Sequence, residues 1–239
     1  PQNTGNKICI IFTIYIFIYL TIQTNELVKE LEQSKISFFN AQIKPHFIYN
    51  TLSNIIALCY TDNIKAASLL GKFSTYLRLI FDNKDSQSLV NIAEELKLID
   101  AYVEIEKARF PEKITYKLQV SEDLLLLKIP AFSIQPFVEN AIRHGLFNKV
   151  DDGTVELSIT QQQEQLFVKV QDNGIGMTQE TLKYVLNGTN QNQGIGIMNV
   201  KQRLHYMGNT KLKIDSNPDE GTVVAITLPI AEIPFPIFE

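Results

Sequence analysis

His46 stands between a proline and a phenylalanine, in Pro45-His46-Phe47-Ile48-Tyr49-Asn50. Neutral imidazole is a good nucleophile, and histidine is largely neutral near pH 7. Pro45 has no N–H, so inside a helix the carbonyl of Ala41 loses its partner and the helix bends. The imidazole then lies one step off the apolar seam, open to solvent. A surface histidine on a kinked helix needs no function, and alone this segment says no more.

Three further segments bear on phosphate and base chemistry. Gln135-Pro136-Phe137-Val138-Glu139-Asn140-Ala141-Ile142-Arg143-His144-Gly145 reads as a helix with one apolar side. Asn140, on the other side, offers a hard neutral oxygen suited to Mg2+ already bound to phosphates. Arg143 and His144 could meet phosphate, or merely favour the helix dipole ahead of a Gly145 cap. Asp172-Asn173-Gly174-Ile175-Gly176-Met177 follows a strand. A carboxylate at a strand end can accept a hydrogen bond from an amino group such as that of adenine. Gly174 and Gly176 let the backbone turn sharply against a flat ligand, although such a run is also a common turn. Gly194-Ile195-Gly196-Ile197-Met198-Asn199-Val200 opens a helix, where Gly194 and Gly196 leave free N–H groups for phosphate oxygens and Asn199 follows. The polar stretch from Thr178 to Gln193 between these motifs reads as a mobile lid. Thr222, just after Gly221 at the start of the last strand, could join the adenine contact through its hydroxyl.

The elements that must position these groups follow from periodicity. Leu27, Leu31, Ser34, Phe38, Ala41, Pro45, Ile48, Leu52, Ile55 and Cys59 keep a 3-4 rhythm, with a second stripe beside it. Thr61-Asp62-Asn63 breaks the rhythm and can cap a new helix, continued by Ile64, Ala67, Leu70, Phe73, Leu77 and Ile80. Such a hairpin cannot bury both stripes alone, so two chains are expected to form a four-helix bundle. Asn91 and Glu94 make a capping-box start for a helix that ends before Pro111. Beyond residue 110 the pattern alternates, as in Ile114-Tyr116-Leu118-Val120, Val155-Leu157-Ile159 and Leu166-Val168-Val170. Antiparallel-looking strands with helices at about 131–144 and 196–207 predict an α+β sandwich, the helices on one face of a sheet.

Composition narrows the class. Hydrophobic residues are 45% and charged residues 20% of the 239, and the net charge is −4. Nothing basic points to direct nucleic-acid binding. Two cysteines, Cys9 and Cys59, form no CxxC pair and imply neither a disulfide framework nor a zinc site. The uncharged apolar run from Ile8 to Ile22 spans roughly 22 Å as a helix, short of a full bilayer core, yet it reads as a membrane segment. The expected organisation is a membrane segment over 1–23, a dimerisation and phosphotransfer hairpin over 24–90, and a linking helix over 91–109. A catalytic domain over 110–230 and a tail over 231–239 complete it.

The order of these motifs resembles the Bergerat ATP-binding fold of histidine kinases, gyrase, heat-shock chaperones and MutL. With PHFIYN upstream and QPFVENAIRHG as its asparagine motif, the chain is similar over about 35–229 to sensor histidine kinases of the LytS/YehU/YesM type. The resemblance implies a dimerising helical hairpin followed by a Bergerat (GHKL) α/β sandwich, in an α+β chain. It implies His46 as phosphoacceptor, Asn140 as Mg2+ ligand and Asp172 as the adenine-recognising carboxylate with Gly174 and Gly176 beside it. Gly194 and Gly196 become the phosphate-side glycines, with Asn199 continuing their motif. ATP and Mg2+ are the implied cofactors. The implied partners are a second copy and an aspartate on a response regulator, the chain sitting at the cell membrane with its kinase core cytoplasmic.

Two departures matter. Phe47 occupies the place where many histidine kinases carry an acidic base, and Glu139 is a candidate base only because it flanks Asn140. Pro136 stands where Bergerat hydrolases carry a water-activating glutamate, which counts against a gyrase-like or chaperone-like ATPase. A domain-moving ATPase, a degenerate kinase acting as a docking module and a serine-directed kinase on the same fold are the competing readings.

Overall fold

The computed structural model describes residues 17, 19–24, 26, 45–82, 88–147, 149, 151–187, 195–205 and 207–230. The chain divides into two compact units, residues 1–47 and 48–239. Of the predicted membrane segment, residues 17 and 19–23 are helical and exposed, and the rest lies outside the described residues. No helix among the described residues is long and apolar enough to cross a membrane. The stripe from Leu27 to Ala41, Gly194, and the tail beyond 230 likewise lie outside them.

Helix α1 is described over Pro45–Thr61. Helix α2 (Asn63–Asp82) follows after one residue. That residue is Asp62, whose carboxylate accepts the Lys65 N–H at 3.0 Å, a helix N-cap. The break predicted at 61–63 is therefore present and one residue wide.

A short strand β1 (Leu89–Asn91) leads into α3 (Ile92–Arg109). Glu94 reaches back to accept the Asn91 N–H at 3.0 Å, as the capping-box spacing predicts. Strand β2 (Ile114–Val120) follows, then β3 (Lys128–Pro130), which pairs antiparallel with β1. That pair of three-residue strands is too short for periodicity to reveal. Helix α3 packs on α2, with the Tyr76 and Tyr102 rings 6.1 Å apart.

Helix α4 (Gln135–Asn140) starts four residues later than predicted, with Pro136 in its first turn. It runs on without a break into a π-helical turn over Ala141–Leu146. Gly145 thus lies inside the helix rather than capping it, and the Phe147 N–H reaches back to the Ile142 carbonyl. Strands β4 (Gly153–Gln162) and β5 (Gln165–Asp172), helices α5 (Gln179–Asn187) and α6 (Ile195–His205), and strands β6 (Lys211–Asn217) and β7 (Gly221–Pro229) complete the chain.

The main sheet has the order β2-β4-β5-β7-β6. Every pair is antiparallel except β2–β4, which is parallel. Alternation reports which face a residue occupies and not strand direction. The parallel pair instead follows from the long crossover through α4. Leu157, Ile159, Val168, Ile226 and Leu228 are buried in the sheet, as are Val138, Ile142, Val200 and Leu204 in the helices. Truncating any of these to alanine is expected to cost about 2–5 kcal/mol for the larger side chains.

Candidate active site

Period-two geometry places the site. Leu166, Val168, Val170 and Asp172 are successive inward positions of β5, and all four are buried. The last of them puts a carboxylate in phase with a hydrophobic row. On β7, Thr222 is in phase with Val224, Ile226 and Leu228. On β6, Ser216 is in phase with Ile214. Register aligns the three polar ends: Asp172 lies opposite Thr222, and Thr222 opposite Ser216. A polar row therefore crosses one end of an otherwise apolar sheet face.

The hydroxyls of this row are ordered by elimination. Ser216 Oγ donates to the Gly221 carbonyl at 2.9 Å and accepts the Met177 N–H at 2.9 Å. Its one proton is thus used. The 2.9 Å contact between Ser216 Oγ and Thr222 Oγ1 must be donated by Thr222. Toward the rest of the site Thr222 offers an acceptor only.

The loop after Asp172 is strapped on every side. The Gly174 N–H donates to Asp172 Oδ1 at 2.8 Å. Asn173 and Thr154 exchange two bonds, through the Asn173 N–H (3.2 Å) and its Oδ1 (2.8 Å). Lys149 Nζ donates to the Asn173 carbonyl at 2.9 Å. The Ile175 N–H donates to the Gly145 carbonyl at 3.1 Å. Gly176 has φ +62°, and a Cβ there would fall 1.8 Å from the Asn217 carbonyl oxygen, so only glycine fits.

A cavity of about 380 Å³ opens beside this loop. Its walls are mainly apolar, from Phe137, Ala141, Val170, Ile175, Met177, Val185, Ile197, Ile214 and Val224. Its polar lining is Asn140, His144, Asp172, Thr178, Thr181 and Thr222. Burial raises the Asp172 carboxyl from its ordinary 3.8 to about 6, against the pull of the Gly174 and Thr222 N–H groups and the Lys149 charge. An apolar slot with one buried carboxylate suits a flat heterocycle that carries an amino group.

Of the sequence-predicted residues, Asn140, His144, Asp172, Gly176 and Thr222 meet in this cavity. Gly174 lies beneath it, against Gly145. Asn199 is half-buried on α6 and does not line it; Gly196 sits in the first turn of that helix. Arg143 and Glu139 turn elsewhere. Arg143 Nη1 meets Glu139 Oε1 at 3.3 Å, and Gln135 Nε2 donates to Glu139 Oε2 at 3.0 Å. Glu139 is buried in this group and is absent from the cavity wall. His46 is exposed on α1. The predicted lid is in part helix α5, capped by Thr178, whose Oγ1 accepts the Thr181 N–H at 3.2 Å. Residues 188–193 lie outside the described residues.

Sequence reasoning missed Ser216, Met177 and the α5 residues Thr181 and Val185. Ser216 was legible in principle, being in phase with Ile214 on a strand. Met177 and Val185 enter only because the loop and α5 fold over the sheet end.

Two segments of the chain match known protein families. Residues 34–114 match the family model described as "Histidine kinase". Residues 133–232 match "Histidine kinase-, DNA gyrase B-, and HSP90-like ATPase". The chain is 34% identical over 212 residues to the protein YwpD of Bacillus subtilis (strain 168), covering 88% of this chain and 76% of that one. It is 32% identical over 206 residues to the sensor protein LytS of Bacillus anthracis, covering 84% and 35%. It is 32% identical over 201 residues to the sensor histidine kinase BtsS of Escherichia coli (strain K12), covering 83% and 34%. The chain thus spans about a third of the length of these LytS and BtsS relatives. A helical N-terminal part, a mixed sheet faced by helices and these matches define one class. The chain belongs to the sensor histidine kinases, of the LytS type.

Proposed function

We propose that this chain is the kinase part of a two-component signalling protein. It takes the γ-phosphoryl group of ATP onto His46 and passes it to an aspartate of a response regulator. The observation that carries this reading is the single cavity that unites Asn140, from the asparagine helix, with Asp172 and Thr222, from two strand ends.

The residues present fit ATP and Mg2+. The apolar walls suit the faces of adenine, and Asp172 would accept from its amino group. The turn of α6 that holds Gly196 would offer N–H groups to phosphate. Among the described residues no group of three or more His, Cys, Asp or Glu could hold a metal ion. That suits Mg2+, which keeps waters and phosphate oxygens and here would take the Asn140 oxygen. When bound it would neutralise charge on the phosphates.

In the transfer, a ring nitrogen of His46 forms a bond to the γ-phosphorus while the bond to ADP breaks, and ADP leaves with the electron pair. Attack through the unprotonated nitrogen of neutral imidazole needs no prior proton removal. An acidic neighbour in place of Phe47 is then dispensable, and catalysis rests on positioning and charge neutralisation. Leu52, Ile56, Tyr60, Ile64 and Leu70 are exposed on α1 and α2. Pairing of two chains into a four-helix bundle would cover such surface. Residues 8–22 would seat the chain at the cell membrane, with the kinase unit on the cytoplasmic side.

The test is incubation with γ-labelled ATP. Acid-labile label that disappears in His46→Gln, with adenosine binding kept, is expected. Label that persists in this variant refutes the acceptor. Acid-stable label would indicate a serine-directed kinase, and phosphate release without label an ATPase.

A further inference from the structure

Helix α4 does not hold its own N-terminus. A carboxylate from α3 does. Glu95 Oε1 accepts the N–H groups of Ile134 and Gln135, each at 3.0 Å, and Oε2 accepts that of Phe132 at 2.8 Å. The carbonyls of the same turn are taken from another helix. Arg203 of α6 donates through Nη1 to the Ala131 and Phe132 carbonyls at 3.2 and 3.3 Å. Its guanidinium also lies 5.3 Å from the centre of the Phe132 ring. Glu95 and Arg203 are both buried, 2% and 5% exposed. Burial raises the Glu95 carboxyl, offset by the three N–H groups and the Arg203 charge.

The turn so gripped is unusual. Phe132 has φ +57°, in the left-handed region that a bulky residue rarely adopts. Strain of this kind persists only where the surroundings over-determine it. Here the surroundings are one carboxylate and one guanidinium, which take three N–H groups and two carbonyls between them. A hydrophobic anchor would have held the turn without fixing its backbone so completely.

We propose that Glu95 and Arg203 are positioning residues for Asn140, setting from α3 and α6 where the asparagine helix begins and hence where its amide meets the metal–phosphate group. Asn140 lies five residues beyond Gln135, roughly 7.5 Å along the helix. A shift of the first turn therefore reaches it undiminished. Arg203 stands on the helix whose first turn carries Gly196, so one turn of chain is tied to both phosphate-facing helices. Glu95 belongs to the segment matched by the histidine kinase model, whereas Ile134, Gln135 and Arg203 belong to the segment matched by the ATPase model. Two hydrogen bonds, from Ile134 and Gln135, thus join the linking helix to the ATPase-matched segment, and a third holds Phe132 just before it. The placement of α3 is coupled through them to metal-dependent ATP affinity.

This inference rests on the proposed roles of Asn140 and Asp172, and the experiment separates the two levels. Affinities for adenosine, for ATP without Mg2+ and for ATP with Mg2+ are measured on the whole chain. In the unaltered protein, Mg2+ tightens ATP binding; if it does not, the Asn140 reading itself fails and this inference with it. In Glu95→Gln, adenosine affinity stays within about twofold while the gain from Mg2+ falls by about tenfold or more, the usual size for a group supporting a metal ligand. An unchanged Mg2+ gain overturns the proposal, as does an equal loss for adenosine and Mg·ATP, which would mark a purely structural residue. Should Glu95→Gln fail to fold, Arg203→Lys is the second variant. It keeps the charge, gives up the planar fork, and must lower the Mg2+ gain with adenosine binding kept. A full Mg2+ gain in that variant refutes the proposal.

Discussion

Gly145 packs directly against the carboxylate of Asp172. A Cβ on Gly145 would come within 2.7 Å of Asp172 Oδ1 and 3.1 Å of its Cγ. The same glycine receives the Ile175 N–H on its carbonyl and has Gly174 pressed on its other atoms. The π-helical turn, the Asp172 carboxylate and the glycine loop therefore meet at one point that has no room for a methyl group.

Gly145→Ala tests this contact. The methyl must displace Asp172 or spread the π turn, an overpacking cost of about 1–3 kcal/mol. We expect stability to fall by that amount and adenosine affinity to fall roughly tenfold, since about 1.4 kcal/mol lost at the carboxylate is a tenfold loss. Thermal melts and titration with adenosine measure the two effects. Unaltered adenosine affinity in a folded Gly145→Ala protein would mean that the carboxylate does not contact the base.

The Asp172 carboxyl, raised from 3.8 to about 6, gives two pH effects of opposite sign. The folded protein holds this proton more tightly than the unfolded chain. The resulting stability is fully present below 3.8 and is lost as pH rises through about 6, so the ligand-free protein gains stability from this group between pH 7 and 5. Adenosine needs the ionised carboxylate as acceptor, so its affinity falls in the same direction, toward tenfold per unit well below pH 6. Adenosine is the right probe because it carries no phosphate to titrate in this range. Asp172→Asn should bind weakly with no pH step there; an identical step in that variant assigns it to another group.

Asn140→Asp replaces a neutral oxygen on the cavity wall with a charged one. We expect loss of tight Mg·ATP binding and of phosphohistidine formation, with adenosine affinity kept because Asp172 is untouched. Wild-type phosphorylation in this variant would remove Asn140 from the metal role.

Much of this protein is legible in its residues alone. Motif order carries the nucleotide-binding fold, because each motif is local: a strand end, a turn, a helix start. Even the burial of Asp172 can be read, since it continues the two-residue rhythm of Leu166, Val168 and Val170. The capping of α3 by Glu94 is local too.

What the tertiary structure alone decided concerns partners far apart in the chain. Spacing places Arg143 and His144 side by side, but only the packed π turn shows His144 at the cavity and Arg143 turned to Glu139. Alternation cannot show that β2 and β4 run parallel. Glu94 and Glu95 are adjacent and chemically identical. One is an exposed cap whose partner lies three residues away, and the other is a buried anchor whose partners lie 37 to 40 residues away. Local periodicity encodes the first kind of bond. The second forms only when helix α3 has docked, because nothing short of folding brings three backbone N–H groups from another segment around one carboxylate.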